Sequence, residues 1–228
     1  MSDSSRVAID HRFANPGLLR QALTHRSYGL PSNERLEFIG DAVLGLVIAR
    51  ILYDRFPAAP EGKLTRMRAH LVNEDALANV ARRIGLPATL HVGEGESKAG
   101  VPDRASILAD AMEAVFGAVF LDAGLDAVTR VIVDCYGELL RDADPATLGK
   151  DPKTQLQEIL QAQRLPVPEY ALVATSGKSP NEVFRVECRI AALSIVASGS
   201  ARSRRAAEQD AAAAALAVMS AGEGRGRG

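Results

Sequence analysis

Residues 33–44, Asn33-Glu34-Arg35-Leu36-Glu37-Phe38-Ile39-Gly40-Asp41-Ala42-Val43-Leu44, constrain this chain more than any other stretch. On a helix, a step of about 100° per residue sets Glu34, Glu37 and Asp41 within about 60° of one another. The same step gathers Leu36, Ile39, Val43 and Val47 on the opposite side. Three carboxylates therefore share one narrow face. Glu37 and Asp41 are also four apart, and a like-charge pair at that spacing weakens an isolated helix by about 0.2–0.5 kcal/mol. Something cationic is expected to offset that repulsion.

Residues 106–122 supply a matching half. Asp110 and Glu113 are neighbours on one helical face, yet Ile107, Leu108, Met112, Val115, Phe116, Val119, Phe120 and Leu121 make the rest apolar nearly all round. A helix of that kind is normally buried. Carboxylates are almost never fully buried without a partner, and no Lys or Arg lies between Arg104 and Arg130 to pair with them locally. Read singly, each stretch is an ordinary solvated helix face. Read together, four carboxylates on two helices call for a hard divalent cation with oxygen ligands, Mg²⁺ or its substitute Mn²⁺.

The run from Asn33 to Asp41 resembles the signature of the ribonuclease III family almost residue for residue. Ile107-Leu108-Ala109-Asp110-Ala111-Met112-Glu113-Ala114 resembles the family's second acidic motif. The resemblance is specific because two separated motifs agree in content and order. It implies a metal-dependent endonuclease of double-stranded RNA, with Glu37, Asp41, Asp110 and Glu113 as the metal site and Asp41 and Glu113 at the catalytic centre. Glu34 matches a position nearer the RNA than the metal. Phe38 falls beside the acidic face, and the resemblance places it in a socket of a second subunit, hence a homodimer.

A chain of 228 residues with 47% hydrophobic content suits one or two domains with a real core. No run of 18 or more apolar residues spans a membrane, and residues 1–6 carry no apolar signal region. Cys135 and Cys188 are too few for a disulfide framework or a zinc site, so both are expected as buried thiols of a cytoplasmic protein. The net charge of −1 supplies no overall basic field, but it divides: residues 1–149 hold 16 basic and 20 acidic side chains (−4), and residues 150–228 hold 11 and 8 (+3). Placement of the basic residues, not their total, must carry any argument for RNA.

Residues 1–149 read as helical throughout. Asn15-Pro16 opens a helix expected to end near Tyr28, and the resemblance extends over residues 23–28; His25 reads as a core or interface histidine. The signature helix runs to Pro57, and two shorter helices fill residues 61–86. Lys63 and Arg66 share a face of the first, where they either contact phosphates or are simply solvated. Residues 91–104 form a Gly-rich loop that is not a phosphate loop, since no strand precedes it and no Gly-Lys-Ser/Thr follows. Asp126 is expected to cap a last helix ending near Leu140.

Beyond a linker the period changes. Asp151-Pro152 starts an amphipathic helix, residues 183–190 alternate with a period of two, and residues 170–175 and 193–197 are expected as flanking strands. Residues 177–181 read as a hairpin turn, and Ser203 caps a helix to about Ser220. This order, with Ser203-Arg204-Arg205-Ala206-Ala207-Glu208, resembles the double-stranded-RNA-binding domain. Two arginines at a helix start oppose the macrodipole, which points to an external phosphate partner. The resemblance adds Gln157 and Gln161 as minor-groove contacts. Pro180 in the turn, with Ala206 and Glu208 in the basic cluster, departs from the pattern and predicts weakened affinity.

The fold class expected is therefore two domains: an all-α nuclease and dimerisation domain (1–144), a linker (145–151), an α+β (α-β-β-β-α) RNA-binding domain (152–221) and a disordered tail (222–228). The function implied is hydrolysis of double-stranded RNA to 5′-phosphate and 3′-hydroxyl ends with short 3′ overhangs, serving rRNA and mRNA processing. No membrane or small-molecule substrate is expected. The alternatives are a non-catalytic RNA-binding dimer, against which the intact acidic set speaks, and a di-iron carboxylate protein, which would need Glu-x-x-His pairs that these helices lack.

Overall fold

The structure, a computed structural model, describes residues 8–94, 103–177 and 182–223. The backbone packs as two compact units divided between Gly149 and Lys150.

The first unit contains α1 (Pro16–Ala22), α2 (Glu34–Arg55), α3 (Glu61–Leu71), α4 (Glu74–Arg83), a short 3₁₀ turn (Leu86–Thr89) and α5 (Ala105–Arg141). Local chemistry starts these helices where the sequence marks them. The Asn15 side chain accepts from Gly17 N at 3.0 Å ahead of Pro16, and Asn73 accepts from Ala76 N at 2.8 Å. Gly85, at φ 75°, takes the left-handed conformation that closes α4. The core lies between α2 and α5, where Leu44, Ile48, Leu108, Met112 and Phe116 are all fully buried. The buried Tyr136 hydroxyl donates to the Leu71 carbonyl at 2.9 Å, tying α5 to the end of α3. Arg55 donates to the last carbonyls of α5, reaching Arg141 O at 2.6 Å and also Leu140 O, where a cation suits the negative helix end.

One sequence expectation changes here. Helix α1 stops at Ala22, not near Tyr28, because the following backbone pairs with His91: His91 N donates to Leu23 O at 2.8 Å and His25 N to His91 O at 3.0 Å. That pairing draws the chain out of helical register. As expected, residues 105–141 hold two helices, here labelled together as α5: Gly124 (φ 81°, ψ −174°) leaves the helical region just before Asp126, and Gly137 (φ 38°) breaks the second again. The Gly-rich loop lies partly outside the described residues, from 95 to 102.

The second unit contains α6 (Pro152–Ala162), an antiparallel sheet of order β1-β2-β3 (Glu169–Ser176, Val183–Ile190, Ile195–Ala201) and α7 (Arg204–Glu223). Asp151 caps α6 by accepting from Thr154 N at 3.0 Å. On β2, Val186, Cys188 and Ile190 are buried while Arg185 and Arg189 face outward, which is the alternation of a one-sided sheet. β3 begins later and runs further than the expected 193–197. Residues Ala191–Leu193 form a 3₁₀ turn instead, and Ser198, Gly199 and Ser200 pair with Glu187, Val186 and Arg185. A run of Ser-Gly-Ser carries no apolar signal, so only the pairing partner reveals it as strand. A Cβ on Gly199 would lie 2.1 Å from Ala211 N, which shows how closely β3 lies on α7. That approach explains the alanine-rich helix: Ala207, Ala211, Ala212 and Ala215 are fully buried where larger side chains would not fit. Helix α7 continues through Glu223, past the expected end at Ser220 and into the tail expected from residue 222; residues 224–228 lie outside the described residues. So do residues 178–181 of the hairpin turn, Pro180 among them.

Candidate active site

Two glycines set the site's geometry. A Cβ on Gly40 would lie 1.8 Å from the Glu113 carbonyl oxygen, and one on Gly117 would lie 2.2 Å from the Leu36 carbonyl oxygen. Helices α2 and α5 thus meet backbone to backbone where Glu37 and Asp41 flank Gly40 and where Glu113 precedes Gly117 by one turn. Small residues at a crossing let helix axes approach closely. Here that closeness carries four carboxylates with it.

The buried arc of α2 differs from the sequence expectation. Leu36, Val43 and Val47 are buried as expected, but Gly40, Leu44, Ile48 and Leu52 are buried too, and Ile39 is only half-buried. The arc therefore lies beside the acidic face, not opposite it. Because α2 runs through the middle of its unit, α5 covers a flank that an amphipathic surface helix would leave open. This rotation presses Glu37 toward α5 while Asp41 stays exposed.

The electrostatics follow from that placement. Burial pushes the Glu113 carboxyl up to about 8, helped by the negative charges of Asp41, Glu37 and Asp110. Glu37 is raised by burial and then by Asp110, Glu34 and Asp41. Asp110 is raised by burial and then by Glu74, while His25 and Arg26 pull it down. Glu37, Asp110 and Glu113 thus resist ionisation chiefly because they are desolvated and next because their neighbours are also acids. Among the described residues, no three acidic, histidine or cysteine side chains converge to ligating distance about one point as they stand. Four like charges repel, so that spread does not argue against the donor set: all-oxygen and anionic, it fits a hard divalent cation that would draw the carboxylates inward.

A polar cleft of about 380 Å³ opens beside the acids, lined by Glu37, Asp110, Glu34, Arg26, His25 and Arg104 among others. Glu34 is exposed, accepts from the Ser32 hydroxyl at 2.9 Å and lies 3.9 Å from Arg26. Phe38 is 77% exposed beside the acids. Lys63 and Arg66 are on α3 as expected, but Lys63 lines a separate hollow with Arg55, Phe56 and Pro145, not the acidic cleft. Sequence reasoning missed Gly117, Glu74 and Arg26. Only Gly117, a glycine inside an apolar helical run, carried a signal that could have marked a close approach.

In the second unit, Gln157 and Gln161 stand exposed on α6, on the side away from the buried Leu156 and Leu160. Arg204 and Arg205 are exposed in the first turn of α7. Arg204 Nε already donates to Glu208 at 3.2 Å, so part of the cost of placing cations at this helix start is offset within the chain itself.

Comparison with known proteins bears on both units. Residues 15–138 match the family model described as Ribonuclease-III-like, and residues 152–219 match the Double-stranded RNA binding motif. The chain is 54% identical over 205 residues to Ribonuclease 3 of Thiobacillus denitrificans, covering 90% of this chain and 91% of that protein. It is 53% identical over 204 residues to Ribonuclease 3 of Bordetella pertussis, covering 90% and 80%. The chain belongs to the ribonuclease III family. A solved nuclease domain of ribonuclease III from Campylobacter jejuni superposes with TM-score 0.57 at 36% identity, covering 60% of this chain and 96% of that one. A second structure of that domain gives TM-score 0.56 at 37% identity, covering 59% and 92%. As a family member the protein is an endoribonuclease of double-stranded RNA that depends on a divalent metal, with the helical nuclease unit followed by the α-β-β-β-α binding motif. Among the described residues, no helix is long and apolar enough to cross a membrane.

Proposed function

We propose that Glu37, Asp41, Asp110 and Glu113 hold Mg²⁺, with Mn²⁺ as a workable substitute, and that Asp41 and Glu113 form the centre of the hydrolytic site. The observation that supports this most is the crossing at Gly40 and Gly117, which forces four carboxylates from two helices into mutual repulsion. When bound, the cation supplies the charge that activates water and neutralises the phosphate and leaving oxygen. Glu37 and Asp110 position it from either helix. Asp41, exposed on the open side, faces the incoming strand, while half-buried Glu113 fixes the inner side. Water oxygen bonds to phosphorus, the bond from phosphorus to O3′ breaks, and O3′ leaves as a hydroxyl, so the downstream strand keeps a 5′-phosphate. Glu34, at the rim with Arg26, contacts the RNA and not the metal. The direct test is incubation with a long RNA duplex, with and without Mg²⁺, followed by analysis of the ends. Cleavage only with metal, to 5′-phosphate and 3′-hydroxyl ends with short 3′ overhangs, is expected. Binding without cleavage would favour a non-catalytic RNA-binding dimer.

The assembly that fits this reading is a homodimer with one site per subunit, acting in the cytoplasm on rRNA and mRNA precursors. Its support is Phe38, a large aromatic left in solvent beside the site, together with the Campylobacter nuclease-domain structure described for flexibility in a region involved in dimer formation. The free, buried Cys135 and Cys188 are consistent with a reducing compartment. Removing a packed phenylalanine costs about 3–5 kcal/mol, enough to shift a dimer strongly toward monomer. Phe38→Ala should accordingly sediment with a lower and concentration-dependent mass; an unchanged profile would place the interface elsewhere.

For the RNA, residues 152–221 are read as the binding domain joined by a linker at 145–151, with Gln157, Gln161, Arg204 and Arg205 as its contacts and Lys63 and Arg66 as a secondary basic face. Replacing Arg204 and Arg205 together by Ala should weaken duplex binding alike across sequences. It should also flatten the dependence of affinity on salt, because each phosphate contact releases counterions. An unchanged salt slope would show that both arginines merely solvate the helix start.

A further inference from the structure

Glu208 lies one turn after Arg204 on α7, and from sequence alone it only subtracts charge from the basic helix start. The structure gives it a different setting. Its side chain is only 17% exposed and bridges two cations from different helices: Oε2 accepts from Lys153 Nζ at 2.6 Å, and Oε1 accepts from Arg204 Nε at 3.2 Å. Lys153 is held further, with its ammonium 4.4 Å from the centre of the Tyr170 ring and its backbone N–H donating to Gln209 Oε1 at 3.0 Å. Gln209 Nε2 in turn donates to Asp151, the cap of α6, at 2.9 Å. The first turns of α6 and α7 are thus laced together through Glu208 and Gln209.

The bond to Arg204 uses Nε. Among the described residues, neither terminal guanidinium nitrogen of Arg204 has a hydrogen-bond partner, and the side chain is 61% exposed. A guanidinium tethered at Nε keeps both terminal nitrogens available for two phosphate oxygens. Two effects of Glu208 then compete. Its charge weakens the attraction of the basic turn for RNA, an effect that solvent and salt screen. Its hydrogen bonds order Arg204 and Lys153 before RNA arrives, removing an entropic cost of about three- to tenfold in affinity for each side chain that binding would otherwise immobilise. The second effect wins here, because both oxygens of Glu208 are already engaged by Lys153 and Arg204, so its charge is largely neutralised by the cations it orders.

Resting on the reading of Arg204 as a phosphate contact, we propose that Glu208 is a positioning residue of the RNA-binding face: it orients Arg204 toward phosphate and fixes α6 against α7. The test uses the full-length protein in EDTA, so that no cleavage occurs, with a labelled RNA duplex titrated at several salt concentrations. Glu208→Ala is expected to weaken binding about three- to tenfold at every salt concentration, with the slope unchanged, since the same phosphates are contacted by a less ordered arginine. Glu208→Gln, which still accepts from Nε, should recover part of the loss. In an Arg204→Ala background, Glu208→Ala should cost little further affinity although it still lowers the melting temperature through Lys153. Tighter binding by Glu208→Ala, greatest at low salt, would make Glu208 an electrostatic brake and overturn the proposal. An equal loss with and without Arg204 would reduce it to a fold effect and overturn it as well. If Arg204→Ala itself leaves affinity and salt slope unchanged, the phosphate reading fails and the inference with it. If Arg204→Ala weakens binding and Glu208→Ala does not, only the inference fails.

Discussion

Glu113→Gln is expected to bind duplex RNA almost normally and to cleave it orders of magnitude more slowly. The substitution keeps shape and hydrogen-bonding capacity but removes a negative charge from the inner side of the proposed metal site, while the double-stranded RNA binding motif lies in the second unit and is left intact. Partial recovery at raised Mg²⁺ or Mn²⁺ would locate the defect in ion affinity. The same residue makes a signed prediction about stability. In the metal-free fold its carboxyl sits at about 8 against an ordinary 4.5, so the folded state holds a proton that the unfolded chain has released. The stability contributed by this group is full below about pH 4.5 and is lost as the pH rises through about 8. Metal-free Glu113→Gln should therefore melt higher than the unsubstituted protein at pH 8 to 9, with the gap closing toward pH 5. Calorimetry in EDTA across that range checks it. A lower melting point together with lost RNA binding would make Glu113 a structural partner, and near-normal cleavage by a folded variant would sink its catalytic assignment.

Gly117→Ala and Gly40→Ala should be the most damaging single-methyl changes in the nuclease unit. Inside an exposed helix, Gly→Ala gains up to about 1 kcal/mol because alanine is the better helix former. At these two positions the sign reverses, since the added carbon would sit 2.2 Å and 1.8 Å from a backbone carbonyl oxygen of the facing helix. Backbone cannot rotate aside as a side chain can, so the helices must separate; overpacking of this kind costs about 1–3 kcal/mol and sometimes more. Separation also moves Glu37 and Asp41 away from Asp110 and Glu113. The expected result is a lower melting temperature coupled to a severe fall in cleavage, with weaker dependence on metal concentration. Gly45, on the same helix but with nothing within 4 Å of where an added methyl would sit, is the control: Gly45→Ala should leave the monomer's stability unchanged or raise it. Equal melting temperatures for Gly40→Ala and Gly45→Ala would show that the crossing is looser than these distances imply.

The acidic periodicity of residues 33–44, the pair Asp110 and Glu113 in an apolar run, and the change of period after residue 151 were all legible in the sequence. Each is a local signal: helical spacing, strand alternation and the caps at Asn15, Asn73 and Asp151 depend only on residues a few positions apart. From them followed the two-part architecture, the helix-strand-strand-strand-helix order and the four acids. Where local signals failed, a distant partner had overridden them: β3 hid behind Ser198-Gly199-Ser200, and α1 was cut short by a bridge to His91. Tertiary structure alone decided which flank of α2 is buried, because that depends on where α5 lies and not on the pattern of α2 itself. It also decided that Gly40 and Gly117 meet the opposing backbone, that Glu74 and Arg26 act on Asp110, and that Glu208 joins Lys153 to Arg204. These contacts mostly join segments far apart in the chain, whose partners no periodicity encodes. A sequence states which side chains carry charge; only packing determines which charges are brought close enough, and kept dry enough, to need a cation.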